Sequence, residues 1–157
     1  MYEQKKLVGL IGKPVKHSLS PVMHNAAFKK LKLNYFYLLF EPKNLKETIH
    51  GFKELHFTGF NITMPFKMDI IKFLDKIDPT AKKIGSVNTV VVKNNKLIGY
   101  NTDGIGAVNA LKKVVRLKGK RVLLLRSGGA GKSISFYLKK EKAKVTLADR
   151  TDAKAKK

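Results

Sequence analysis

The sequence predicts an α/β fold in which mostly parallel sheets are covered by helices, and three observations predict it. Short apolar strands alternate with amphipathic helices along most of the chain, which is the pattern of parallel sheets joined by helical crossovers. Hydrophobic residues make up 43% of the 157 residues, which is enough to bury a core. A glycine-rich segment near the C-terminal end lies between a predicted strand and a predicted helix, as expected for a β-α-β unit.

In the first two thirds of the chain, local signals mark where elements begin. Ser20 followed by Pro21 is typical of a helix start, with Ser20 as the N-cap and Pro21 as the first helical residue. Asn44 suits the N-cap of a second helix, and Asn94-Asn95 suits a hairpin turn. The predicted helices run from Ser20 to about Leu33, with Val22, Ala26, Ala27 and Leu31 at helical spacing, through the apolar positions Leu45, Ile49, Phe52 and Leu55, and through Ile70, Ile71 and Leu74. The predicted strands are Leu7–Ile11, Tyr35–Phe40, Thr58–Thr63 and the hairpin strands Val87–Val92 and Leu97–Tyr100.

The last third predicts a second β-α unit of different character. A helix is expected from Asp103 to about Val115, followed by a buried-type strand at Arg121–Leu125, a helix at Lys132–Lys139 and a strand at Lys144–Ala148. We therefore expect a change of domain near Asn101, with residues 1–101 forming the first domain and residues 102–157 beginning the second.

Composition excludes several functions. The chain has no cysteine, so disulfides, thiolate catalysis and Cys-ligated metal are excluded, and no metal site is expected. No apolar run approaches the roughly 20 residues that a membrane helix needs, so we expect a cytoplasmic protein without membrane contact. The net charge of +22 favours anionic ligands. Because the lysines are spread along the chain and no nucleic-acid-binding motif accompanies them, we expect solvated lysines and no nucleic-acid partner.

Four short motifs combine residues that can bind a polar ligand. Gly12–Asn25 joins a strand to a helix start and places the hydroxyls of Ser18 and Ser20 beside unpaired backbone N–H groups, which suits a carboxylate or a phosphate. Asn61–Lys67 follows a strand at the end where open α/β sheets bind ligands. Taken singly, Ser20 and Asp103 are more typical of helix caps, Asn88 of a turn or strand edge, and Lys67 of a solvent-facing lysine.

Together the four motifs resemble the shikimate dehydrogenase family. They are Gly12–Asn25, Asn61–Lys67, Gly85–Thr89 and Asn101–Gly106, in the family's order and over nearly the whole chain. The resemblance implies a shikimate-binding catalytic domain, a Rossmann NADP-binding domain and the reversible NADPH-dependent reduction of 3-dehydroshikimate to shikimate, on the way to chorismate and the aromatic amino acids. Quinate stays open as an alternative substrate, and a homodimer stays open as the assembly.

The resemblance also assigns roles within the first domain and at its boundary. Ser18 and Ser20 match the serines that hold the substrate carboxylate, and Thr63, Asn88 and Asp103 match residues that bind the ring hydroxyls. Lys67 and Asp103 match the catalytic pair, and Lys67 also touches substrate. Because a free lysine is a poor base at neutral pH, we predict that Lys67 and Asp103 act as a coupled pair, and which of them moves the proton stays open.

The glycine-rich loop and the segment after the last strand resemble the family's NADP site. Gly128 would let the backbone approach a pyrophosphate, and Gly131 would allow close packing of the helix. Arg126 replaces the first glycine, which either weakens cofactor binding or places a guanidinium near phosphate. A P-loop also needs glycine at position 126, so nucleotide hydrolysis is disfavoured. The cofactor-binding residues implied are Ser127, Gly128, Gly129, Ala130, Asp149, Arg150, Thr151 and Lys154.

Two alternatives accompany the NADP dehydrogenase interpretation. Asp149 stands where the family usually has asparagine, and an acid there can take a ribose hydroxyl as in NAD binders, although Arg150 and Lys154 favour the extra phosphate of NADP. The Rossmann domain is expected to be incomplete, since the chain ends shortly after that domain's second strand. This predicts, as the second possibility, a catalytically inactive fragment that binds shikimate.

Overall fold

The computed structural model describes residues 4–150, which form two compact units. The first unit comprises residues 4–77 together with Val87–Tyr100, and the second comprises Asp78–Ser86 together with residues 101–150. The second unit thus includes a short segment that precedes the last two strands of the first. The functional domain boundary at residue 101 stays a prediction.

The first unit is built on a six-stranded sheet of β1 (Lys6–Ile11), β2 (Tyr35–Phe40), β3 (Gly59–Ile62), β4 (Lys76–Ile77), β5 (Thr89–Lys93) and β6 (Lys96–Tyr100). The strands lie in the order β2-β1-β3-β5-β6-β4. Strand β1 pairs in parallel with β2 and β3, and β4 pairs in parallel with β6, whereas β5 is antiparallel to both of its neighbours. The sheet is therefore mostly parallel, and the predicted α/β class is confirmed. The helices of this unit are α1 (Ser20–Lys30), α2 (Leu45–Glu54) and a 3₁₀ helix (Asp69–Phe73).

The core of this unit lies on both faces of the sheet. One face carries an aromatic cluster in which Phe52 stacks on Phe57 at 4.0 Å between ring centroids and meets Phe40 and Phe60 edge-on. The other face carries Leu10, Val15 and Tyr37, against which Phe28 of α1 packs. Both faces are covered as expected for this class.

Helix α1 differs from its prediction in start and in orientation. The N-cap is Leu19, and Ser20 is the first helical residue, so the N-cap assignment of Ser20 was wrong. The apolar residues that share this helical spacing do not form the buried face, because none of Val22, Ala26, Ala27 and Leu31 is buried. The reason is that the Asn25 side chain bonds the backbone of Tyr37 as donor and as acceptor, at 3.1 and 2.8 Å. These two bonds turn the face that carries His24 and Phe28 towards the sheet.

Of three further local features, one differs from its prediction, one was missed and one was predicted correctly. The helix through Ile70, Ile71 and Leu74 is a 3₁₀ helix that ends at Phe73. A helix that the sequence analysis missed, α3 (Pro79–Ile84), has a clear signal: Asp78 accepts from the N–H groups of Thr80 and Ala81, and Gly85 ends the helix at φ +69°. The hairpin was predicted correctly, since Asn94 and Asn95 both have positive φ between β5 and β6.

The second unit contains the β-α-β unit that the sequence predicts. Strand β7 (Arg121–Leu125) pairs in parallel with β8 (Lys144–Ala148), with α5 (Gly129–Lys140) between them in sequence. Helix α4 (Asp103–Lys112) contributes Val108 to a core completed by Leu117 and Leu138. The expectation of a buried β7 was wrong, because Leu123 and Leu125 are 64% and 69% exposed. The apolar side chains on that face of the two-stranded sheet have no covering layer among residues 4–150.

Within residues 4–150, no helix has both the length and the apolar character that crossing a membrane requires.

Candidate functional site

The loops that carry the first unit's predicted site residues meet at one edge of its sheet. Strands β1 and β3 are parallel and end together, with Ile11 opposite Ile62. Because β5 is antiparallel to β3, its first residue Thr89 lies beside Asn61 near that same end. The segments that contain Ser18, Lys67 and Asn88 therefore leave or enter the sheet at a common edge, which is where open α/β sheets bind ligands.

Ser18 and Ser20 lie together at the start of α1. The Ser18 hydroxyl donates to Ser20 Oγ at 3.1 Å, and Ser18 Oγ accepts from the Ser20 N–H at 3.2 Å. Two hydroxyls beside the first turn of a helix can turn their protons towards an anion, where the helix N-terminus also favours negative charge. The structure thus brings together the two serines that the sequence assigns to a substrate carboxylate.

Glu41 holds the loop that leads to these serines, and sequence analysis missed it. Its carboxylate accepts from the backbone N–H groups of Val15 and Lys16, at 2.7 and 3.2 Å. The bond from Val15 is the main reason that the pKa of Glu41 is lowered. The signal available in the sequence was an acidic residue directly after a strand, at the edge of the sheet where this fold class binds ligands.

A close approach between two loops explains Gly12. A β-carbon at Gly12 would stand 2.2 Å from the Thr63 methyl carbon and 2.5 Å from a methyl of Val15. The next residue, Lys13, donates its N–H to the carbonyl of Met64 at 3.0 Å. Gly12 therefore lets the loop after β1 lie against the loop after β3, which places Thr63 next to the Ser18 segment.

Lys67 and Asn88 belong to neighbouring backbone segments. The carbonyl of Lys67 accepts from the N–H of Val87 at 2.8 Å, and the N–H of Asn88 donates to the carbonyl of Tyr100 at 3.0 Å. The side-chain oxygen of Asn88 accepts from the Thr89 hydroxyl at 2.9 Å. The backbones that carry a predicted catalytic lysine and a predicted hydroxyl-binding amide are thus fixed to each other.

A buried tyrosine, which the sequence analysis did not single out as a site residue, lies beneath this edge. Tyr37 is 3% exposed, and its hydroxyl donates to Asn61 Oδ1 at 2.8 Å. Burial raises the pKa of Tyr37 to about 12, although a hydrogen bond with Ser20 opposes that rise. His24 stacks on the Tyr37 ring at 4.3 Å between centroids, and burial lowers the pKa of His24. The phenol therefore stays protonated at neutral pH.

In the second unit, Asp103 is fixed through its backbone at the start of α4. Its N–H donates to Asn101 Oδ1 at 3.1 Å, and the fully buried Ser133 hydroxyl donates to that same oxygen at 2.7 Å. Ser133 Oγ also accepts from the Gly104 N–H at 2.8 Å. Thr102 is the N-cap of α4, and Asp103 is its first residue. The hydrogen bonds of Asn101 and Ser133 thus fix the start of α4, where Asp103 is the first helical residue.

The glycine-rich loop leads into α5, which begins at Gly129, three residues before the predicted start at Lys132. Gly128 is the N-cap, and a β-carbon there would meet nothing within 4 Å, so the backbone is open to a ligand. A β-carbon at Gly131 would stand 2.2 Å from the Arg126 carbonyl oxygen, which explains why only glycine fits. Arg126 has φ +77°, the left-handed conformation that glycine adopts at no steric cost. The loop therefore keeps the backbone conformation of the family's glycine-rich loop, although Arg126 replaces its first glycine.

Asp149 closes this loop from the end of β8. One of its carboxylate oxygens accepts from both the N–H and the hydroxyl of Ser127, at 2.7 and 2.8 Å. Arg150 follows and is exposed. The structure thus brings two predicted cofactor residues together, Ser127 and Asp149, and places Gly129 and Ala130 in the first turn of α5. The predicted contacts of Thr151 and Lys154 lie outside the described residues.

The described chain holds no cluster of three or more His, Cys, Asp or Glu side chains that could bind a metal ion.

The fold and these residues define a class of protein: an α/β domain with a polar ligand edge, joined to the β-α-β start of a Rossmann domain. The chain belongs to the shikimate dehydrogenase family, since the model of the shikimate dehydrogenase substrate binding domain matches residues 10–90. A Pyrococcus furiosus relative, shikimate dehydrogenase (NADP(+)), is 51% identical over 154 residues, which cover 98% of this chain and 56% of the relative. The chain thus spans about half the length of the curated relatives it matches.

Solved structures agree with this assignment. Shikimate 5-dehydrogenase from Thermus thermophilus, in complex with NADP(H) and shikimate, superposes with a TM-score of 0.88 at 36% identity, over 96% of this chain and 58% of that one. Shikimate 5-dehydrogenase from Listeria monocytogenes, in complex with shikimate and NAD, gives a TM-score of 0.87 at 40% identity, over 99% and 58%. Both the substrate-binding domain and the start of the Rossmann domain are therefore shared.

Proposed function

We propose that this chain forms the substrate-binding domain and the first part of the NADP-binding domain of a shikimate dehydrogenase. The reaction is the reversible, NADPH-dependent reduction of 3-dehydroshikimate to shikimate, on the way to chorismate and the aromatic amino acids. One observation carries the proposal: Ser18, Ser20, Lys67 and Asn88 belong to segments that meet at the ligand edge of the first sheet, as the family motifs require.

Each proposed role follows from the chemistry of the side chain. Ser18 and Ser20 hold the substrate carboxylate through their hydroxyls, and Thr63, Asn88 and Asp103 bind ring hydroxyls. Lys67 and Asp103 handle the proton on the reacting oxygen as a coupled pair. The nicotinamide, when bound, supplies the hydride. Among these residues, the structure supports the serines most directly, since their oxygen atoms lie 3.1 Å apart.

The residues of the second unit fit NADP. The open face of Gly128 and the N-terminus of α5 suit a pyrophosphate. Because one carboxylate oxygen of Asp149 already accepts two bonds from Ser127, Asp149 is better suited to holding the loop than to binding a ribose hydroxyl. Arg150 is then the neighbouring residue that can bind the 2′-phosphate of NADP. We propose the cytoplasm as location and leave the homodimer as a prediction.

Turnover of shikimate tests the proposal. The 157-residue chain is given shikimate and NADP, and NADPH formation is followed for the wild type and for Lys67→Ala, with Lys93→Ala as a control on the exposed hairpin. We expect turnover that falls roughly a hundredfold or more in Lys67→Ala and is retained in Lys93→Ala. Turnover in Lys67→Ala near that of the wild type would refute the role of Lys67, and higher turnover with NAD would refute the cofactor.

The second candidate function is shikimate binding without turnover. Arg126, a non-glycine residue with φ +77° at the turn into the cofactor loop, favours it, because a side chain there can obstruct the dinucleotide. Isothermal titration with shikimate separates the two functions. Binding without NADPH formation would support the binding function, and turnover would exclude it.

A further inference from the structure

A chain of side-chain hydrogen bonds joins Tyr37 to Asn88 within the first unit. The chain begins at the hydroxyl of the buried Tyr37. The chain then passes from Tyr37 to Asn61 at 2.8 Å, from Asn61 to Thr89 at 3.1 Å, and from Thr89 to Asn88 at 2.9 Å. Tyr37 and Asn61 thus act on Asn88 through Thr89.

The direction of the bonds is set by a backbone carbonyl. Asn61 Nδ2 lies 3.4 Å from the main-chain oxygen of Asn88, which can only accept. Asn61 therefore turns its NH₂ group towards Thr89 and its oxygen towards Tyr37. It follows that Tyr37 donates to Asn61 and that Thr89 Oγ1 accepts from Asn61, so the single Thr89 proton is available for Asn88.

This direction determines which end of the Asn88 amide faces Thr89. The Thr89 hydroxyl donates, so the Asn88 oxygen must accept, as the 2.9 Å contact shows. The NH₂ group of Asn88 is then turned away from Thr89. Protonation of the buried Tyr37 phenol at neutral pH keeps the first donor of this arrangement in place.

We propose that Tyr37, Asn61 and Thr89 are positioning residues that fix the Asn88 amide, so that Asn88 meets the substrate as a hydrogen-bond donor. The inference rests on the proposed function in its choice of ligand. A donor can bind a hydroxyl oxygen as well as a carbonyl oxygen, whereas an acceptor can bind only the hydroxyl. Asn88 can therefore hold a substrate oxygen in its reduced and in its oxidised state.

The test removes the Thr89 hydroxyl without changing side-chain shape. In Thr89→Val we expect shikimate to bind about five- to tenfold more weakly, the usual effect of one lost hydrogen bond, and Thr89→Ser should restore binding. Thr58→Val is the matched control, because the Thr58 hydroxyl bonds the Leu7 carbonyl at the opposite end of β3. Asn88→Asp keeps the shape but only accepts, so it should lose binding even though Thr89 still donates to it.

A second measurement does not depend on the ligand. The side-chain NH₂ signals of Asn88 are assigned in an amide NMR spectrum by their loss in Asn88→Asp. They should shift in Thr89→Val and return in Thr89→Ser. Unchanged Asn88 signals in Thr89→Val, or shikimate binding by Asn88→Asp as tight as that of the wild type, would overturn the inference. If the wild type fails to bind shikimate, the proposed function is refuted, and the NMR result alone decides the positioning role.

Discussion

Replacing Arg126 by glycine should stabilise the second unit. Arg126 links β7 to the glycine loop, and its N–H donates to the Ala148 carbonyl at 2.7 Å. Its φ of +77° brings the β-carbon of a non-glycine residue too close to its own backbone. Since Arg126 is exposed, truncating its side chain leaves no cavity. The substitution therefore acts mainly on the backbone.

Two opposing terms set the size of the effect. A left-handed conformation costs a non-glycine residue roughly 1–2 kcal/mol. Glycine offsets part of this gain, because its unfolded chain is more flexible by roughly 0.4–1 kcal/mol. We expect Arg126→Gly to raise the free energy of unfolding by about 0.5–1 kcal/mol, which corresponds to roughly 2–8 °C in melting temperature for a unit of this size.

Two other variants separate the backbone effect from the loss of charge. Arg126→Ala removes the guanidinium but keeps the β-carbon, so it should not reproduce the gain. Gly131→Ala should destabilise, because its β-carbon would meet the Arg126 carbonyl oxygen. Urea unfolding gives the free energies, and amide hydrogen exchange along β7 and β8 shows whether the change lies in the second unit. Equal stabilisation by Arg126→Ala would refute the argument, since relief of charge repulsion would then suffice.

Three further predictions concern other positions. Gly104→Ala should lower the free energy of unfolding by about 1–3 kcal/mol in urea unfolding, because the new methyl would lie 2.3 Å from the Ser133 carbonyl oxygen. Gly106→Ala on the same helix is the control: its new methyl would meet no atom within 4 Å, so it should stabilise the protein or be neutral. Equal losses of stability in the two variants would contradict this. Because the pKa of Glu41 is lowered in the folded state, its carboxylate stabilises the protein at pH values above its unfolded-state pKa of 4.5, and this stability is lost as the pH falls through the folded-state pKa. In acid unfolding, the stability of Glu41→Gln should therefore depend less on pH in this range than that of the wild type. Superimposable profiles of the two proteins would argue against this role of Glu41. Because the pKa of Tyr37 is raised, the contribution of its protonated phenol to stability is fully present below pH 10.0 and is lost as the pH rises through about 12. Compared with the wild type, Tyr37→Phe should lack a component near pH 12 in its ultraviolet titration. If the variant instead lacks a component near pH 10.0, the argument from burial is refuted.

Local signals in the sequence were sufficient for most strands and for the cap at Asn44, but not for the caps of α1 and α3 or for the orientation of α1. Asn44 was predicted and found as an N-cap, because its side chain bonds the next residues of its own helix. The orientation of α1 depends instead on Asn25 and Tyr37, which are 12 residues apart. A periodic apolar pattern cannot reveal such a bond, so the pattern alone selected the wrong face.

In the candidate site too, local motifs were predicted and contacts between residues distant in sequence were missed. The Gly12 and Asn61 motifs identified which segments bear polar side chains, because each motif is contiguous in the chain. Glu41 and Tyr37 were missed because their partners are distant in sequence: Val15 for Glu41, and Asn61 for Tyr37. Each acts on a predicted site segment through side-chain hydrogen bonds, and only the folded sheet shows which segment that is.

Within the second unit, the cofactor loop and Asp103 are held by the same two helices. Helix α5 begins at the glycine loop, and one turn later its buried Ser133 bonds both Gly104 and Asn101, which flank Asp103. Gly104 is required for this contact, because any side chain would overlap Ser133. A substitution that moves α5 must therefore move the start of α4 as well. Changes in the glycine loop should accordingly affect Asp103, for which we propose a role in proton transfer, as well as the proposed cofactor site. Binding and turnover therefore need separate measurements in variants of this loop.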